Sequence, residues 1–112
     1  MAESRLCELS EVPADGSAAF IADLDGNRFF AMAVRKNDAV YVYENSCPHI
    51  GGRLDFPPGE FLSDDGEHIE CATHAALFRI EDGVCIFGPC EGDRLTQINA
   101  EVRGDAVYIL SD

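Results

Sequence analysis

Apolar positions in this chain fall into short runs separated by turn residues, and several runs alternate with polar positions in the two-residue period of a strand. Leu6-Cys7-Glu8-Leu9 reads as a first strand, and Val12-Pro13-Ala14-Asp15-Gly16 as the loop after it. Residues 18–24 and 28–34 are two apolar runs joined by Asp25-Gly26-Asn27, the strongest local hairpin signal in the chain. Lys36-Asn37-Asp38 then turns the chain into Ala39-Val40-Tyr41-Val42-Tyr43, completing a three-stranded meander. Beyond it, Phe56-Pro57-Pro58-Gly59 and Ser63-Asp64-Asp65-Gly66 mark a polar, turn-rich surface excursion. His68-Ile69-Glu70 reads as a strand with Ile69 inward and its neighbours outward. Leu77-Phe78-Arg79-Ile80 and Val84-Cys85-Ile86-Phe87 flank Glu81-Asp82-Gly83 as a second hairpin, and residues 95–102 and 106–110 form a last one around Arg103-Gly104-Asp105. No window sustains a 3.6-residue apolar period, and neither repeats nor low-complexity segments occur. The pattern predicts an all-β fold, a small antiparallel sandwich or barrel with a subdomain inserted at about residues 45–88.

At 112 residues the chain has room for one domain, residues 1–112, with a modest core. Eight basic against 21 acidic residues give a formal charge of −13, which argues against nucleic acid or an anionic membrane as partner. That acidity either keeps the protein soluble or steers it toward a basic patch on a partner protein. No apolar run approaches the roughly 20 residues of a membrane span. Met1-Ala2-Glu3-Ser4-Arg5 has neither the basic end nor the apolar core of a signal peptide, so the expectation is a soluble, cytoplasmic protein acting as a monomer. In that setting Arg103-Gly104-Asp105 is a turn, not an adhesion motif.

The chemistry concentrates between Cys47 and His74. Cys47-Pro48-His49-Ile50-Gly51-Gly52-Arg53-Leu54 and Cys71-Ala72-Thr73-His74-Ala75-Ala76-Leu77-Phe78 each offer one thiol and one imidazole. Pro48 and the Gly51-Gly52 pair suit the tight backbone that such close ligands need. Two Cys and two His form either a structural zinc tetrahedron or the ligation of a 2Fe-2S centre with two Cys on one iron and two His on the other. A zinc finger of this ligand type groups its cysteines apart from its histidines, whereas each half here mixes the two, as a two-metal centre requires. His68 stands outside both segments and reads as a surface histidine. Of five cysteines, Cys7, Cys85 and Cys90 remain as ordinary thiols, with Cys85 and Cys90 near enough in sequence to approach each other around Gly88-Pro89.

C-P-H-I-G-G-R-L followed by C-A-T-H-A-A-L-F resembles the two cluster-binding boxes of Rieske ferredoxins, and Gly88-Pro89 resembles the proline loop that covers their cluster. The resemblance implies that Cys47 and Cys71 hold the inner iron of one 2Fe-2S cluster, and that His49 and His74 hold the outer iron near solvent. The 21 residues between His49 and Cys71 form a longer spacer than most members have, and Ala75 stands where many have Gly. High-potential members carry a serine and a tyrosine after the second box and an extra cysteine in each box. The matching positions here are Ala76, Phe78, Gly52 and Thr73. The chain therefore resembles the low-potential type, near the lower end of the roughly −150 to +300 mV Rieske range. The implied role is a one-electron carrier without catalysis of its own, taking electrons from a flavin-dependent reductase and passing them to a terminal oxygenase of the aromatic-ring-hydroxylating dioxygenase type. The alternatives are a small Rieske subunit of a nitrite reductase or other oxidoreductase, and a structural zinc module for protein interaction.

Overall fold

The computed structural model describes residues 3–36, 39–45, 62–63, 67–70, 76–88 and 91–110. Among them the chain forms β1 (Glu3–Glu8), β2 (Ser17–Leu24), β3 (Asn27–Lys36), β4 (Ala39–Glu44), β5 (His68–Glu70), β6 (Leu77–Arg79), β7 (Cys85–Phe87), β8 (Gln97–Arg103) and β9 (Ala106–Leu110), with no α-helix. The expected all-β architecture is present as an antiparallel six-stranded sheet in the order β1-β9-β8-β4-β3-β2 and a smaller sheet in the order β5-β6-β7.

The β2–β3 hairpin closes on Leu24↔Asn27 through Asp25 and Gly26, whose φ angles of 56° and 83° give the two left-handed residues of a primed turn. Asp tolerates this conformation and Gly adopts it freely, which is why Asp-Gly fixes the register here. Strand β3 is buried without a break from Ala31 to Val34, because it is packed on both faces. Ala31 and Ala33 face one core with Cys7, Val12, Ala22, Val42, Val107 and Ile109, contributed by both edge strands β1 and β2 and by the strands between them. Only a sheet curled on itself brings its two edges to one core, and β1 and β2 do touch. Met32 and Val34 face the other way, joining Tyr43, Ile69, Ala76, Phe78, Ile80, Cys85 and Leu95 in a second core beneath the small sheet.

The element boundaries differ from the sequence reading where tertiary contacts decide. Strand β1 starts earlier than expected, since its pairing with β9 runs out to Glu3↔Leu110. Leu9 leaves the strand for a short 3₁₀ turn, in which the Glu8 N–H donates to Glu11 Oε1 at 2.9 Å. Leu95, expected in the last hairpin, instead donates its N–H to the Gly83 carbonyl at 2.9 Å and fills the core under the small sheet. His68 and Glu70, expected outward, are half-buried, because Leu62 bridges Ile69 and covers the open edge of β5.

Candidate metal centre

Cys47, His49, Cys71 and His74 all lie outside the described residues, as do Gly52, Thr73, Ala75, Pro89 and Cys90 and the turns 56–59 and 64–66. The structure does define the frame to which these segments are attached. Strand β4 ends at Glu44, whose N–H donates to the Thr96 carbonyl at 2.8 Å. The buried Asn45 follows and donates its backbone N–H to the Phe30 carbonyl at 2.8 Å, fixing the backbone two residues before Cys47.

The second box is attached to the small sheet. Glu70, at the end of β5 and immediately before Cys71, pairs with Leu77 of β6, and Leu77 pairs with Phe87 at the end of β7. This one row holds the residue before Cys71, the strand that follows His74, and the residue before Gly88-Pro89. The second box and the Gly-Pro segment therefore leave from the same end of the sheet.

The two departures are also in direct contact. Gly88 has φ +109°, and a Cβ placed on it would lie 2.8 Å from Ala76 Cα and 2.9 Å from Ala76 Cβ. Position 88 therefore requires glycine, and position 76 a small residue. The sequence places Gly88 only in a loop; a glycine before proline, beyond a strand, is the one signal for this approach.

Below the row the frame is apolar and tied to the large sheet. Phe78 and Cys85 pair across β6 and β7 and are both buried, and the Cys85 thiol donates to the Phe87 carbonyl at 3.3 Å. Tyr43 of β4 donates its hydroxyl to the Ile80 carbonyl at 2.6 Å, which couples the strand leading to Cys47 with the hairpin following His74. Burial raises the pKa of this phenol well above its ordinary value, and the nearby Asp82, Tyr41 and Glu81 push in the same direction. At the opposite end of the small sheet, Lys36 Nζ lies 3.2 Å from Glu67 and 3.7 Å from Glu81. The Glu67 hydrogen bond is the main cause of its raised pKa, partly opposed by desolvation.

The chain's donors, two thiols and two imidazoles, match the Cys₂His₂ set of a Rieske 2Fe-2S centre. The frame is compatible with such a group: β4, which leads to the first box, and the small sheet, which carries the second, share one apolar core through Tyr43, Ala76, Phe78 and Cys85. Among the described residues no group of three or more His, Cys, Asp or Glu is placed to hold a metal ion, and His68 belongs to none.

Comparison with known proteins agrees with this class of site. The model of the Rieske [2Fe-2S] domain family matches residues 3–102, and the chain belongs to that family, whose domain holds a 2Fe-2S cluster. Its structure is similar to that of the ferredoxin of carbazole 1,9a-dioxygenase from Nocardioides aromaticivorans IC177, with a TM-score of 0.78 and 26% identity over 100% of both chains. It is also similar to Sphingomonas yanoikuyae B1 ferredoxin, with a TM-score of 0.78 and 22% identity over 98% of this chain and 99% of that one. A further match, with a TM-score of 0.74 and 23% identity, covers 96% of this chain and 91% of a chain in a complex of reduced oxygenase and oxidized ferredoxin in carbazole 1,9a-dioxygenase. In sequence, 70 residues are 29% identical to cholesterol 7-desaturase of Caenorhabditis elegans, a match that spans 62% of this chain and 16% of that protein.

Proposed function

We propose that this chain is a Rieske-type ferredoxin, a one-electron carrier in which Cys47 and Cys71 bind one iron and His49 and His74 the other. Its electrons come from a flavin-dependent reductase and go to a terminal oxygenase of the aromatic-ring-hydroxylating dioxygenase type. When bound, the 2Fe-2S cluster supplies single-electron chemistry, and the chain itself needs no acid, base or nucleophile. The observation that carries the reading is the frame: the first box follows β4, the second box and the Gly-Pro segment leave one end of the small sheet where Gly88 meets Ala76, and Tyr43 ties β4 to that sheet. Similarity over the full length of a dioxygenase ferredoxin supports the same role.

Each part of the frame has a task in such a carrier. Strand pairing at Glu70, Leu77 and Phe87 fixes the strand ends from which the second box and the Gly-Pro segment depart. Buried Ala76 and Phe78 keep water from the base of the site and present no hydroxyl that would favour added negative charge.

The test is the electron paramagnetic resonance spectrum of dithionite-reduced protein, with iron and sulfide counted in the same sample. A rhombic signal averaging near g = 1.9, about two irons and about two sulfides per chain is the expected result for a Cys₂His₂-ligated centre. A colourless protein holding one zinc would make the chain an interaction module and end the electron-transfer reading.

A further inference from the structure

Most large apolar side chains of the described residues lie in the two cores, but two on β7 do not. Ile86 is 42% and Phe87 60% exposed. The register slips by one residue between Phe78↔Cys85 and Leu77↔Phe87, so Ile86 is the extra, unpaired residue of a bulge. Phe87 pairs with Leu77, whose side chain alternates away from buried Phe78, so Phe87 stands on the outer face of the small sheet, at the row that also ends β5 and immediately before Gly88. An exposed phenylalanine contributes little to stability, and one held by strand pairing is a preformed contact for another molecule.

The charge around it is directional. The segment Glu91–Asp93 runs alongside β7, with the Cys85 N–H donating to the Asp93 carbonyl at 2.7 Å, Gly92 to Cys85 at 3.1 Å and Glu91 to Gly88 at 3.2 Å. Glu91 and Asp93 are exposed, and half-buried Glu70 ends the same row. Five of the chain's eight basic residues, Arg5, Arg28, Lys36, Arg79 and Arg103, are occupied in ion pairs with its own carboxylates, so the field offered to a partner is negative. An apolar anchor beside acidic groups fits a partner surface with an apolar pocket and a basic rim.

We propose that Phe87, with Ile86 beside it and Glu91 and Asp93 as its acidic border, is the anchor on which the electron-accepting oxygenase docks. This rests on the carrier reading above. A relative of this fold occurs in a complex of oxygenase and ferredoxin, which is why the occupant is an oxygenase component rather than a second copy of this chain. Exposed Ile21 and Phe30, opposite each other on β2 and β3, form a rival patch, and exposed Val102 on β8 is a control outside both.

The experiment measures binding of holoprotein to the oxygenase component of carbazole 1,9a-dioxygenase by titration calorimetry, and electron transfer to it by stopped flow. Phe87→Ser is expected to weaken binding about tenfold or more, as loss of an aromatic anchor does. Binding and transfer by the variant are compared with the parent's per mole of Rieske resonance signal, so that any loss of cluster is divided out. Glu91→Gln with Asp93→Asn should flatten the salt dependence of the association rate, while Val102→Ser should match the parent. Equal binding by Phe87→Ser and parent overturns the proposal, as does loss of binding on Ile21→Ser instead, or a parent dimer that Phe87→Ser dissociates. No binding by a parent protein with an intact Rieske signal overturns the oxygenase as occupant and leaves the carrier reading standing. Absence of the signal itself would overturn that reading.

Discussion

Replacing Gly88 with alanine tests the frame most directly. Its φ of +109° lies where residues with a side chain are strained, a cost of about 1–3 kcal/mol. The new Cβ would also stand 2.8 Å from Ala76 Cα, a backbone atom next to Leu77, which is paired on both sides. Because that neighbour cannot swing away, overpacking adds about 1–3 kcal/mol. The sum is roughly 2–6 kcal/mol, which at about 4 °C per kcal/mol lowers the melting temperature by about 8–24 °C. Gly92→Ala supplies the control, since Gly92 has φ +95° but nothing within 4 Å of its would-be Cβ, so it carries the backbone cost alone. Thermal and urea denaturation of both holoproteins, with visible absorbance read in parallel, separates the two contributions. Gly88→Ala should be the more destabilised and should bleach below its global unfolding temperature. Equal stability of the two variants within about 0.5 kcal/mol, with no early bleaching, would refute the claim that Gly88 locks the Gly-Pro segment onto the second box.

Three further outcomes are expected. Ala76→Ser and Phe78→Tyr, which add hydroxyls at buried positions beside the second box, should each raise the reduction potential by tens of millivolts in voltammetry, since about 1.4 kcal/mol corresponds to 59 mV for one electron. Tyr43→Phe should cost about 1–3 kcal/mol in urea denaturation by leaving the buried Ile80 carbonyl without its 2.6 Å donor. Burial, with Glu11 adding to it and Arg5 opposing, raises the Cys7 thiol from 9.0 to about 11, so the unfolded chain loses this proton first, and stability should fall as pH rises from 9 through 11. Cys7→Ala should flatten that part of the stability profile, and an unchanged slope would show that the loss arises elsewhere.

The hairpins were legible because local chemistry decides them. Asp25-Gly26 needs two left-handed residues, and Gly104, at φ +60°, opens the last turn. The cores were less legible. Phe29 to Val34 reads as one apolar run, and nothing local says that Ala31 and Ala33 face the curled sheet while Met32 and Val34 face the small one. Leu95 leaves the last hairpin for the same reason, since its partner, the Gly83 carbonyl, belongs to another hairpin. The ligand set stood out because four residues of two rare types recur as paired boxes, a pattern that packing alone does not generate. The support was hidden, because the Ala76–Gly88 approach depends on the register Glu70↔Leu77↔Phe87 rather than on residue type.

This division between body and site follows from what a carrier must hold still. The curled sheet has its own core, drawing on β1, β2, β3, β4 and β9 and sharing no residue with the core under the small sheet. Strand β3 belongs to both through its alternating faces, and Tyr43 carries the coupling across by hydrogen bonding to Ile80. The small sheet, with three-residue strands, is too short to be stable alone and takes its rigidity from Met32, Val34, Tyr43 and Leu95. Insertions between the boxes are then tolerated, because closing a longer surface loop costs little while the row Glu70, Leu77 and Phe87 is held from below. By the same logic, substitutions in the second core should disturb the metal centre more than equally destabilising ones in the first, because only the second core touches the small sheet, from which the second box and the Gly-Pro segment depart.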